Sequence, residues 1–185
     1  LRQQRLVRAW SGGRGDALEI WHDRIRETVV ASIGATALRD HHARLATALR
    51  ASRDPDPQEM VDHLIAAGQP EQAYRQAVAA ALRAAEALAF DRAAALFALA
   101  LELAPNEGHD VRDLKQQLGD ALASAGKGAD SARAYLDALD GAEPAQHLEL
   151  RRRAAEQLLR SGHFEEGLRV IAGVLSDVGL RLPLT

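Results

Sequence analysis

Cysteine is absent from the 185 residues, so neither a disulfide framework nor a thiolate metal site can form, and a reducing compartment is compatible. Aromatic residues make up only 4% of the chain, which rules out a core built mainly on stacked rings. No apolar run approaches the roughly 18–20 residues of a membrane-spanning helix, and no signal-peptide pattern opens the chain. Neither sign of charge dominates: 23 Lys and Arg against 26 Asp and Glu leave a formal net charge of −3. That balance argues against nucleic acid or a membrane surface as the main partner. Catalytic signatures are missing too. A phosphate-binding Walker loop needs G-x-x-x-x-G-K-[ST], whereas Gly126-Lys127-Gly128 lacks the hydroxyl after lysine and the glycines of residues 11–16 come with no lysine. No carboxylate pair or Ser/His arrangement can be placed at one pocket by spacing, so no catalytic residue is assigned.

What is present is a chain 47% apolar, supplied mainly by Ala, Leu, Val and Ile. Alanine is the best helix former and lets helices approach closely, so the composition leans all-α. The chain opens on Leu1 and closes on RLPLT, and a fragment of a larger cytoplasmic protein is the simplest reading.

Two short runs of strand formers, 6–10 and 17–21, flank SGGRGD, where Gly12, Gly13 and Gly15 supply positive-φ positions for a hairpin loop. That hairpin is the only β-structure expected; the alternative is a ragged terminal segment. Asp23 stands where a helix N-cap belongs, followed by Ile25, Val29, Val30 and Ile33 at helical spacing and by Gly34 as a stop. Leu38, Leu45 and Leu49 mark a second helix, ended by the breaker run at 53–57. A third carries Met60, Val61, Leu64 and Ile65 and stops at Gly68. Pro70 suits the first turn of a fourth, which runs to about residue 88.

From there the chain becomes periodic. Ala93, Phe97, Ala100 and Pro105 follow at steps of 4, 3 and 5, a spacing that resembles the second half of a tetratricopeptide repeat. Leu118-Gly119, Leu122, Gly126, Tyr135 and Ala138 resemble most of a complete repeat, with Ser131 where alanine is usual and Pro144 one residue late. Ala154, Ala155, Leu158, Gly162, Gly167, Ile171 and Val174 repeat the order, and the turn glycines Gly126 and Gly162 lie 36 apart. The last helix shows Phe164, Leu168, Ile171, Leu175 and Val178 as one apolar stripe. Three degenerate repeats describe this half; an irregular bundle of alanine-rich helices is the alternative.

Charged clusters read mostly as surface. Of the seven histidines only His41 and His42 adjoin, and neighbours on a helix point about 100° apart, a poor metal geometry. No metal site is assigned. Arg151, Arg152 and Arg153 fan around a helix, so local salt bridges are favoured over a phosphate patch. Arg2, Arg5, Arg8 and Arg14 near the hairpin invite a DNA-binding reading, which the acidic balance opposes.

The stretch HDRIRE at 22–27, with LRDHHARLATAL at 38–49, resembles the end of the winged-helix subdomain of STAND-type signalling ATPases. These are multidomain bacterial regulators, some of them serine/threonine kinases with an ATPase module and a helical repeat region. Stretches 66–97 and 154–183 are similar to that repeat region. The resemblance implies that His22 senses the β-phosphate of ADP, acting only with an upstream domain, and that Asp23 caps the helix orienting it. Trp21 replaces the usual Met or Phe before that histidine.

The expectation is therefore an all-α fold: a right-handed tetratricopeptide-like solenoid of about nine helices, with a short N-terminal β-hairpin left from a winged helix. Residues 1–52 would be the winged-helix remnant and 53–185 the repeat region. The expected function is non-catalytic: a regulatory region of a multidomain bacterial signal-transduction ATPase or kinase, binding a protein, peptide or small effector on the solenoid face and coupling it to a nucleotide switch. No cofactor is expected in the chain itself, and ATP or ADP in the parent protein. A spacer or self-association platform, with a homodimer, is the second reading and a DNA-binding regulator the third.

Overall fold

The computed structural model describes residues 7–12, 15–20, 23–52, 55–105 and 109–180. Strands β1 (Val7–Gly12) and β2 (Gly15–Ile20) pair antiparallel, with Val7 opposite Ile20 and Gly12 opposite Gly15. Among the described residues nine helices follow. They are α1 (Asp23–Ser32), α2 (Ala35–Arg50), α3 (Pro57–Ala66), α4 (Pro70–Glu86), α5 (Phe90–Leu103), α6 (His109–Ser124), α7 (Gly128–Asp137), α8 (Pro144–Arg160) and α9 (Phe164–Asp177).

Prolines set several starts, because their missing N–H is an unsatisfied donor in the first turn anyway. Pro57 opens α3, with Asp56 accepting the Gln58 N–H at 3.1 Å as its cap. Pro70 opens α4. Pro144, which looks like a late repeat terminator in sequence, opens α8 beside a reciprocal cap of Glu143 and Gln146. One expected boundary shifts: Asp23 is the first residue of α1, its carboxylate 3.4 Å from Arg26 one turn on. Gly34 marks the stop as expected: α1 ends at Ser32, and Gly34, with an extended backbone (φ −62°, ψ 147°), precedes α2.

Four tight turns, α3–α4, α4–α5, α6–α7 and α8–α9, use one backbone device. A residue in the left-handed region bends the chain, and the next N–H bonds back to a carbonyl of the last helical turn. Those bonds run from Gln69 to Leu64, Ala89 to Ala84 and Lys127 to Leu122 at 2.9 Å, and from His163 to Leu158 at 2.8 Å. Gly68, Gly126 and Gly162 take the left-handed place in three of them; Leu88, with φ 58°, takes it in the fourth.

From α2 to α9 each helix packs against the next, while α1 touches β2 and buries no residue. Within the hairpins α4–α5, α6–α7 and α8–α9, small buried residues stand 12 apart: Ala81 and Ala93, Gly119 and Ser131, Ala155 and Gly167. Small side chains at these places let the paired helices come close. One apolar cluster runs from α2 to α6 and includes Met60, Val61, Leu64 and Phe97. A second joins α7 and α8 around Tyr135, Leu150 and Leu158. The last helix is covered on one side only: Phe164 is 64% exposed and Val178 51%. No described helix is long and apolar enough to cross a membrane.

Candidate interaction site

The residue around which polar chemistry collects is Asp120 on α6. Its neighbour Gly119 has no side chain, and a Cβ there would lie 2.5 Å from Cε1 of Tyr135. That space admits the buried Tyr135 ring against α6. Ser131, one turn before it on α7, donates its hydroxyl to the Gly119 carbonyl at 2.8 Å. The serine that departs from the alanine pattern thus satisfies its own buried hydroxyl.

Tyr135 donates its hydroxyl to Asp120 Oδ1 at 2.6 Å, and Arg153 Nη1 on α8 donates to the same oxygen at 2.9 Å. The Arg153 guanidinium also stands 5.8 Å from the centre of the Tyr135 ring, within cation–π range. Arg153 Nε donates to Glu149 at 2.8 Å, and Arg152 grips the same carboxylate through two bonds. Burial first, then the Asp120 carboxylate, pushes the Tyr135 phenol up to about 12. Hydrogen bonds from Arg152 and then Arg153 hold the Glu149 carboxyl down at about 2. The network ties α6, α7 and α8 together and sets charge at their surface.

Beside it opens a cavity of about 300 Å³ between α4, α5 and α6. Leu82, Ala85, Phe90, Phe97 and Ala121 form apolar walls, and Gln117, Asp120 and Ser124 form the polar side. Among the described residues Gln117 Oε1 is buried with no hydrogen-bond partner. Asp120 therefore belongs both to the cavity and to the network, so one surface runs from Leu82 on α4 through Asp120 to Arg153 on α8.

His22, the expected nucleotide sensor, lies outside the described residues, as do the side chains of Arg2, Arg5, Arg8 and Arg14. The three consecutive arginines each find a carboxylate: Arg151 meets Asp177 at 2.6 Å, Arg152 meets Glu149 and Glu156, and Arg153 meets Glu149 and Asp120. They are a salt-bridged face, as their fan around the helix predicts. Asp120, Gln117 and Arg153 carry no motif that would single them out in sequence. Nor do His42 and His63, whose Nδ1 atoms lie 3.0 Å apart although 21 residues separate them. Among the described residues no three His, Asp or Glu side chains gather as a metal cluster.

The class that the fold defines is a helix-built, repeat-like array in which packing runs from each helix to the next. No protein-family model matches the chain, and no curated protein matches it.

Proposed function

We propose that the chain is a non-catalytic regulatory and protein-interaction region of a multidomain bacterial signal-transduction ATPase or serine/threonine kinase. In this reading residues 53–185 form a right-handed tetratricopeptide-like solenoid, and residues 1–52, with the β1–β2 hairpin and the helices after it, are the end of a winged helix. A partner protein or peptide lies along the α4–α6–α8 face, which is the concave one in such a solenoid. The observation that carries this is the continuous surface from the apolar cavity at Leu82 through Asp120 to Arg153. An apolar socket takes a side chain, and fixed polar groups beside it set register, which is how specific binding sites are usually built. His22 reports nucleotide state in the parent protein, with ATP or ADP held by an upstream domain, and binding on the helices biases that switch.

The test is to select peptides from a displayed library on the purified chain and map the binders by amide chemical shifts. Perturbation centred on Leu82, Gln117, Asp120 and Arg153, abolished by Leu82→Asp, supports the reading. Binders that map to the outer sides of α5, α7 and α9 overturn it. In the full-length protein, His22→Ala should change the nucleotide dependence; an unchanged dependence removes the sensor role.

A second reading, self-association, is favoured by the partly uncovered α9, where Phe164, Leu168 and Val178 are exposed. Sedimentation equilibrium separates the two: a dimer broken by Phe164→Ser supports self-association, and a monomer across the concentration range removes it.

A further inference from the structure

His42 on α2 and His63 on α3 are brought together by helix packing, with their rings 5.1 Å apart centre to centre and their Nδ1 atoms 3.0 Å apart. The contact fixes protons. Two neutral imidazoles can share it only if one Nδ1 carries a hydrogen and the other a lone pair. Glu59, one turn before His63, sets its Oε1 4.0 Å from His63 Nε2. That carboxylate favours a hydrogen on Nε2 and so leaves the His63 Nδ1 lone pair directed at His42.

We propose that His42 and His63 form a binding site for a divalent late transition-metal ion, with copper(II) and nickel(II) preferred over zinc. Two nitrogens 3.0 Å apart, each about 2.05 Å from one ion, subtend about 94° at that ion. That is near the right angle between adjacent ligands of tetragonal copper and nickel sites and well short of the tetrahedral angle of zinc. The ion takes the place of the shared hydrogen. His42 keeps its neutral charge by carrying its proton on Nε2 instead, and each ring turns about its Cβ–Cγ bond, a torsion with a broad minimum. The His63 side chain is 20% exposed, so water completes the coordination shell. No third protein ligand is required, which makes this a two-histidine site of moderate affinity. Its consequence is mechanical: the ion clamps α2 to α3, which already pack against each other.

The test is calorimetric and spectroscopic titration of the whole chain with copper(II), nickel(II) and zinc(II) in a non-chelating buffer. The expected result is one ion per chain, affinity falling from copper to nickel to zinc, a raised Tm, and nitrogen hyperfine coupling in the copper spectrum. His42→Asn and His63→Asn should each weaken binding at least tenfold, while His147→Asn and His163→Asn leave it unchanged. Absence of binding, or binding equally strong in both site variants, overturns the proposal. Should a site variant fail to fold by circular dichroism, paramagnetic broadening in the unmodified protein decides. Selective loss of the His42 and His63 ring signals supports the site, and their persistence refutes it.

Discussion

The hairpins α4–α5 and α6–α7 meet one packing demand with different chemistry. In the first, Ala81 and Ala93 are buried at the corresponding places and Phe97 fills the core, with no polar atom to satisfy. In the second, Gly119 makes room for Tyr135, and the phenol must then find an acceptor, which Asp120 supplies. Asp120 in turn holds Arg153, so a packing choice inside α6–α7 determines how α8 is tied on. A phenyl ring only closes a core, whereas a phenol closes it and carries order outward to the surface. The two turns differ in the reverse sense: Gly126 is at ease with φ 76°, while Leu88 bears its left-handed backbone with a side chain that is 72% exposed.

Phe97→Ala should cost about 3–5 kcal/mol, the range for emptying a buried aromatic site, read by urea denaturation. Gly119→Ala should cost about 1–3 kcal/mol through overpacking against Tyr135. That penalty should vanish when Tyr135 is also truncated to alanine, in a double-mutant cycle. If Gly119→Ala is as harmless as the alanine already present at Ala81, Gly119 does not make the room that Tyr135 occupies.

At the turns, Leu88→Gly should stabilise the protein by about 0.5–1 kcal/mol, since glycine avoids the left-handed penalty and no buried contact is lost. Gly126→Leu should do the opposite, and thermal melts of the two variants give the sign directly.

The smallest effects concern pH. The Glu149 carboxyl is held at about 2 when folded, below its ordinary unfolded value of about 4.3. Its contribution is therefore complete above the unfolded value and is lost as pH falls toward 2. The carboxylate is nearly half exposed, so the contribution should be only about 0.2–1 kcal/mol. Tyr135, raised to about 12 from about 10, contributes fully at neutral pH and loses that contribution as pH rises through this interval. Glu149→Gln should flatten the acid limb of the stability profile and Tyr135→Phe the alkaline limb. A profile unchanged by either substitution would show that the network adds nothing to folding.

Much of the helical frame is legible in the sequence, because its signals are local. Pro57 and Pro70 mark helix starts, Gly126 and Gly162 mark turns, and Ala93, Phe97 and Ala100 lie buried where their periodicity puts them. What escapes has a physical cause. The turn at Leu88 carries no glycine to announce it, and Pro144 serves the helix that follows rather than the repeat that precedes. The meeting of Asp120 with Arg153, 33 residues on, depends on the register between α6 and α8, which no spacing within a helix encodes. The same holds for His42 and His63. Only the serine at Ser131 left a trace, as a polar residue at an alanine position, and that trace becomes readable once the Gly119 carbonyl is seen beside it.

Packing passes from each helix to the next with little reach beyond. In such arrays stability is local and additive along the chain. Native-state hydrogen exchange of the unmodified protein and of Gly119→Ala tests this most directly. Protection should be graded, lowest in α1 and highest in the central helices, with the variant losing protection in α6, α7 and α8 while α2 and α3 keep theirs. Equal protection from α1 to α9, or a uniform loss across all of them in the variant, would contradict it.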